Sequence, residues 1–367
     1  MAANPAPAVS GDPQKVLSLM EKMADTQLAQ YGEKAPADWI AGAFYTGLAA
    51  LYSAELGHNH PQYLDAAVAI ADKYNWSLQS TGGSHNIAHA DNECIGQLYI
   101  DLALIKNDPS KLDNLTKQAN EIVAGFDNPT PANQRAWAVN LQRDGKPMPW
   151  WWCDALFMAP PMLTRLSAVT GDSKYIDAMD KQWWITTAKL YDKDEHLFSR
   201  DGGFLDKKSP NGKKVFWGRG NGWVVAGLAH VLEYMPKDYP SRPKYEALFK
   251  DMCEKLRTLQ QPDGMWRVNL LDPESAPAPE SSASAFYCFA FTWGINHGLL
   301  DRAAFEPAAR KAFDALASHI LPSGLIGSVQ KVSDRPQSVD PEASMPYAVG
   351  GFLLSGAEMI RLDDAKK

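Results

Sequence analysis

Cysteine is scarce in this chain. There are four among 367 residues, Cys94, Cys153, Cys253 and Cys288, with no CxxC pair. That excludes the common thiolate zinc knuckles and dithiol redox motifs. Each of the four lies in an apolar segment and reads as a free thiol acting as a small hydrophobe. Positive charge is also short: 36 Lys and Arg against 43 Asp and Glu give a net charge of −7. A nucleic-acid partner is therefore not expected, since binding one takes a basic surface that displaces counterions. No apolar run approaches the roughly 18 residues that cross a bilayer, so no membrane partner is expected either. Phosphate-loop and dinucleotide signatures are missing, as is the GxSxG elbow of serine hydrolases. Low-complexity tails, coiled-coil heptads and long charge blocks are absent too.

What is present is 45% hydrophobic residues, enough for a sizeable core in a soluble globular protein. The opening stretch, MAANPAPAVSGDP, lacks a signal-peptide core and reads as the start of a mature chain after cleavage. Periplasmic or secreted location is the expectation, with the cytoplasm as alternative. Residues 1–12 are expected to be flexible and 13–367 to form one domain.

Turn signals separate helix-length segments, and few runs are strand-like. The expected helices are 13–31, 39–56, 61–76, 91–107, 111–126, 154–170, 172–191, 221–236, 241–261, 282–298, 303–320 and 344–362. Pro13, Pro61 and Pro243 fall near starts, Asp38 and Ser241 suit caps, and Gly32, Gly57, Gly171 and Gly298 follow ends. Two compositions alternate. Segments such as Lys174-Tyr-Ile-Asp-Ala-Met-Asp-Lys carry charges at helical spacing and have one wet face. The intervening ones, such as Ala285-Phe-Tyr-Cys-Phe-Ala-Phe, are nearly uncharged, and a helix apolar all round is a buried helix. Six buried helices alternating with six amphipathic ones describe an all-α fold, an (α/α)6 barrel. An irregular helical bundle is the alternative.

In such a barrel, the loops entering the six inner helices converge on one end. Those loops hold the unusual residues: His85 to Asp91, Trp150 to Asp154, Phe216 to Trp223, Pro279 to Ser284, and Ser344 to Gly351. Asp154 follows Trp150, Trp151, Trp152 and Cys153. Indole faces stack on sugars and exclude water, and desolvation keeps a carboxyl protonated, which suits a general acid. The competing reading makes Asp154 the N-cap of the next helix, and Asp91 admits the same reading. Arg219 lies among Gly218, Gly220 and Gly222, expected to allow close approach of a ligand, and its guanidinium suits a substrate carboxylate, with a structural ion pair at a helix start as the alternative. Trp217 and Trp223 flank it as stacking faces or as core. His85 and His89, four apart, invite a metal reading, but no third ligand has suitable spacing. No cofactor is expected, and substrate contact is the favoured role for at least one of these histidines.

These residues also carry a resemblance. Trp152-Cys-Asp-Ala-Leu-Phe-Met-Ala-Pro-Pro161 resembles the W-x-D-G-L-[YF]-M-x-x-P segment of the unsaturated glucuronyl and rhamnogalacturonyl hydrolases of glycoside hydrolase family 105 and the related family 88. Phe216 to Trp223 resembles their FWxRxxGW, Asp263-Gly-Met-Trp266 their DGxW, Glu280 to Ser284 their ESSGS, and Asp91 with Gly96 their D-x-x-x-x-G. The resemblance implies the same barrel. It also implies removal of the Δ4,5-unsaturated uronic acid that lyases leave at a non-reducing end, by hydration of its vinyl ether. Asp154 matches the general acid. Asp91 matches a second aspartate that binds sugar hydroxyls and tunes its partner, raising the pKa of Asp154. Trp152 falls in the same motif and is expected at the sugar.

The chain departs from the pattern in having Arg200 in a region where the family often has histidine, and Ala155 and Ala283 where glycine is usual. Arg200 is expected to add a contact to an anionic substrate, and Lys207, Lys208, Lys213 and Lys214 form either a sugar-facing or a merely solvated basic cluster. An unsaturated oligosaccharide from rhamnogalacturonan or ulvan is the expected partner, for a monomer or weak dimer. Two alternatives stand: a two-carboxylate glycosidase acting on saturated uronides, and a sugar-binding barrel without catalysis.

Overall fold

The computed structural model describes residues 8–54, 60–80, 87–137 and 145–364. Its helices are α1 (Pro13–Tyr31), α2 (Trp39–Ser53), α3 (Pro61–Lys73), α4 (Ala90–Glu93), α5 (Gly96–Ile105), α6 (Asp113–Asp127), α7 (Pro131–Trp137), α8 (Ala155–Met158) and α9 (Pro160–Thr170). They continue with α10 (Lys174–Leu190), α11 (Gly218–Tyr234), α12 (Arg242–Thr258), α13 (Ser281–Asn296), α14 (Arg302–Ser318) and α15 (Pro346–Asp364). Two short hairpins join them, β1 (Tyr191–Asp192) with β2 (Leu197–Phe198), and β3 (Trp266–Arg267) with β4 (Pro279–Glu280).

The alternation read from composition is the architecture. Every residue of α13 from Ser281 to Ile295 is buried, as is every residue of α11 from Gly218 to Leu232. In α10 only one face is buried, through Tyr175, Ile176, Met179, Gln182, Trp183, Thr186, Thr187 and Leu190, the period expected of a helix lying on a core. The inner helices touch in sequence, α2 to α5 to α9 to α11 to α13 to α15, and α15 returns to α2. That closed ring, with α1, α3, α6, α10, α12 and α14 outside it, is an (α/α)6 barrel. The seam between α2 and α15 is tight: a Cβ placed on Gly47 would stand 2.5 Å from the Gly350 carbonyl oxygen.

Several boundaries differ from expectation, each for a local reason. The expected helix 154–170 is two helices, because Pro160 and Pro161 lack the N–H groups that would continue α8. The carbonyl of Phe157 thereby loses its helical donor, and Gln97 Nε2 supplies one at 2.8 Å. Helix 91–107 is likewise divided, into α4 and α5 around Cys94 and Ile95. Neither α7 nor the two hairpins was expected. Asp38 caps α2, accepting from the Ala41 N–H at 2.9 Å, whereas Ser241 precedes α12 without a side-chain capping bond. Gly57 lies outside the described residues. All four cysteines are free and buried, and no helix among the described residues is long and apolar enough to cross a membrane.

Candidate active site

The starts of the inner helices gather at one end of the ring, around a cleft of about 440 Å³. Trp39 comes from α2, Asp91 from α4, Asp154 from just before α8 and Met158 from its end, Trp217 from just before α11 and Arg219 from its first turn. Trp152 and Arg200 stand beside them. A segment without regular structure closes the cleft with Val332, Ser333, Asp334 and Gln337.

Neither aspartate spends its carboxylate on a helix end. Asp154 precedes α8 with no side-chain capping bond, and Asp91 lies inside α4 rather than at its cap. Asp154 Oδ2 is 3.5 Å from Cys153 Sγ and 3.7 Å from Arg200 Nε. Burial raises the Asp154 pKa, opposed by the positive charges of Arg200 and Arg219. The direction is the expected one, and so is its leading source, desolvation. Asp91 is pushed up to about 7, first by removal from bulk water and then by the charge of Asp154, with Arg200 opposing. Two interacting carboxyls of this kind lose their protons as a pair.

The short strand β2 fixes Arg200. Asn221 in α11 accepts from the Phe198 N–H at 2.8 Å and donates to the Phe198 carbonyl at 3.0 Å. The chain then runs beside the tryptophan stretch, with Cys153 N–H bonded to the Arg200 carbonyl at 2.8 Å. The Arg200 guanidinium lies over Trp151, 5.4 Å from its ring centre, and donates through Nη1 to Asp201 at 2.8 Å. Its Nε has no hydrogen-bond partner.

His89 packs on Trp152, with ring centres 4.8 Å apart, and its Nδ1 is 3.7 Å from Asp91 Oδ2. Burial lowers its pKa to about 4, so the ring is neutral at ordinary pH. His85 lies outside the described residues. Among the described residues no cluster of His, Cys, Asp and Glu is arranged to hold a metal ion.

Three expectations need correction. Arg219 was read as a loop residue free to clamp a carboxylate. It stands in the first turn of α11, and its Nη1 and Nη2 are committed to the carbonyls of Gln330 at 2.8 Å and Lys331 at 3.0 Å. Sandwiched between Trp217 and Tyr347, it holds the closing segment in place. The glycines around it admit protein and not ligand: a Cβ on Gly218 would meet the Arg267 carbonyl at 2.6 Å, and one on Gly222 would meet Phe286. Trp223, placed at the substrate with core as the alternative, is core: it is 1% exposed and packed among Trp39, Phe157 and Phe286, which leaves no face for a sugar. Trp217 does line the cleft, with Nε1 bonded to Gln330 Oε1 at 2.8 Å.

Glu280 serves from beneath. Fully buried, it accepts from Ser282 and Ala283 at the start of α13 and from the Gln330 N–H at 3.0 Å. Sequence reasoning missed Trp39, Asn221 and the segment 332–337. Trp39 had a signal, as an aromatic directly after a capping aspartate on an inner helix. The segment had none, because it has no periodicity.

The profile described as Glycosyl Hydrolase Family 88 matches residues 15–363. The chain is 39% identical over 345 residues to an unsaturated 3S-rhamnoglycuronyl hydrolase of Formosa agariphila, which covers 90% of this chain and 86% of that protein. A protein of the same name from Alteromonas sp. (strain LOR) is 31% identical over 357 residues, 93% of this chain and 84% of the relative. A solved structure described as a polysaccharide lyase superposes with a TM-score of 0.81 at 30% identity, covering 95% of this chain and 97% of its own.

Proposed function

The chain belongs to glycosyl hydrolase family 88, and on that footing we propose that it removes the Δ4,5-unsaturated uronic acid from the non-reducing end of lyase-generated oligosaccharides, of the rhamnogalacturonan or ulvan type. The observation that carries this reading is a buried Asp154 in an aromatic cleft, its pKa raised by removal from water, 3.7 Å from an arginine Nε that has no hydrogen-bond partner.

In the proposed reaction, protonated Asp154 gives its proton to carbon 4 of the vinyl ether. The positive charge that develops on carbon 5 is shared with the ring oxygen. Water adds to carbon 5, and the Asp154 carboxylate takes the proton the water loses, which restores the acid. The hemiketal opens to a ketone at carbon 5, the ring oxygen becomes a hydroxyl on carbon 1, and the resulting hemiacetal expels the aglycone. Asp91 accepts from sugar hydroxyls. Arg200 pairs with the uronate carboxylate, and its fork suits a bidentate contact. Trp152 lines the sugar's place while Trp217, 1% exposed with the Arg219 guanidinium on its ring, backs the cleft wall, and neutral His89 donates or accepts beside Asp91. Arg219 acts through the segment it tethers. The anomeric carbon is not attacked, so the spacing of the two carboxylates carries no stereochemical message.

Residues 13–367 act as one catalytic domain, as a monomer or weak dimer in the periplasm or outside the cell. The large exposed apolar side chains among the described residues, Leu104, Leu205 and Val332, are too few for the apolar core of an obligate interface.

Ultraviolet absorbance of the unsaturated uronate is the test, read on lyase digests of rhamnogalacturonan and ulvan. A fall in absorbance with release of the sugar is expected. The kinship with a structure described as a polysaccharide lyase brings in a second reading, under which absorbance rises on intact polymer. Cleavage of saturated uronides alone would instead make the pair Asp91 and Asp154 a conventional two-carboxylate glycosidase.

A further inference from the structure

A second pocket of about 550 Å³ adjoins the cleft, and the proposed reaction does not use it. Val268 and Asn269 contribute to its lining, with Phe204 and Pro277 offering flat apolar surface. The stretch from Arg335 to Val339 also lines it.

Two features mark it as built for a ligand. Asn269 is 4% exposed and lines the pocket, yet its Oδ1 has no hydrogen-bond partner. Buried amides are otherwise almost always satisfied, and whichever way this one is turned, it leaves a polar group without a partner. Lys207 and Lys208 also line the pocket and are exposed. Among the described residues neither forms an ion pair, whereas nearby Lys214 is held by Asp192 at 2.6 Å. Ring faces, one unspent amide and free cations are what an anionic sugar requires.

The pocket is also placed where such a sugar would be. Gln337 lines both cavities. Asp334 on the cleft side is paired with Arg335 on the pocket side at 2.6 Å, and Asn269 bridges to Trp217, a cleft residue. An oligosaccharide whose terminal uronate sits by Asp154 must leave the cleft with the rest of its chain.

We infer that this pocket is a second saccharide subsite, which receives an anionic sugar residue of the leaving chain after it has passed Gln337. The inference rests on the reading of the cleft given above. The residue's anion is a sulfate ester or a uronate carboxylate.

The test compares the unsaturated disaccharide with the unsaturated tetrasaccharide from one lyase digest. Three proteins are used: wild type, the double variant Lys207→Ser/Lys208→Ser, and Ala276→Trp, which fills the pocket. Disaccharide kcat/KM is expected to stay within about twofold for all three. Tetrasaccharide kcat/KM is expected to fall about fivefold or more in both variants, through KM. Removing sulfate from the tetrasaccharide separates the two anions: loss of its advantage assigns sulfate, and retention assigns carboxylate. Equal effects on both substrates, or none on either, would overturn the subsite while leaving the cleft reading intact. Failure of the wild type to turn over either substrate removes both.

Discussion

Arg200 Nε stands 3.7 Å from Asp154 Oδ2, while the same guanidinium donates to Asp201 at 2.8 Å. One cation is thus held by a neighbour and still faces the proposed acid. It opposes the effect of burial on Asp154, so arrival of a substrate carboxylate at Arg200 would release part of that opposition and favour the protonated acid.

An Arg200→Gln protein is therefore expected to move its pH profile. Without the cation the Asp154 pKa rises further, so the acid form persists to higher pH and the alkaline limb of kcat/KM shifts upward. KM for the unsaturated uronide should rise about tenfold, the scale of a lost charged hydrogen bond. An unmoved limb would separate Arg200 from Asp154.

Asp154→Asn should fold normally and lose at least 10²–10⁴-fold in kcat, roughly the contribution of a positioned acid. Its thermal midpoint at neutral pH is expected to equal or exceed that of the wild type, because a raised carboxyl pKa marks a charge that folding disfavours. Retained turnover would remove the assignment.

Asp91 makes the sign of a stability effect testable. Its pKa is about 7 in the folded protein against a reference of 3.8. The folded state therefore holds the proton more tightly, and stability is greatest below the reference value and is lost as pH rises through about 7. Asp91→Asn should melt close to wild type at pH 4 and above it at pH 8, by on the order of 1–3 kcal/mol given the open cleft. Thermal scans at the two pH values decide it, and an equal difference at both would contradict the shift.

Glu280→Gln tests the tether under the closing segment. The amide would turn an N–H group toward donors that a carboxylate now satisfies, costing about 2 kcal/mol or more in a denaturant titration. KM should also rise, since Gln330 anchors the wall carrying Ser333 and Asp334. Unchanged stability and KM would make the tether dispensable.

At the barrel seam, Gly350→Ala would drive a methyl group into the backbone of α2 at Ala43. Overpacking against backbone that cannot retreat should cost about 3 kcal/mol or more, seen as a lower midpoint in urea.

The barrel was legible because composition itself alternates: the run Ala285 to Phe291 has no polar face to offer water, while Lys174 to Lys181 plainly has one. Asp154 stood out because tryptophan beside carboxylate is chemically odd, and Asp91 through its match to the D-x-x-x-x-G pattern; both line the cleft. Trp223 and Arg219 were misplaced because a linear motif does not say which of its members point inward. That depends on helical phase, and α11 starts at Gly218, earlier than its glycines suggested. The wall from Val332 to Gln337 stayed invisible because the chain leading into it is held at Gln330 by residues from other elements, Arg219, Glu280 and Tyr347.

The return of α15 to α2 also sets a timetable. Roughly 300 residues lie between these two helices, and ribosomes add about 5–20 residues each second. For roughly 15–60 s, then, the first inner helix of a nascent chain has no final neighbour along one apolar side. A newly made chain has a period of stickiness written into its topology, and it ends only when the last helix arrives.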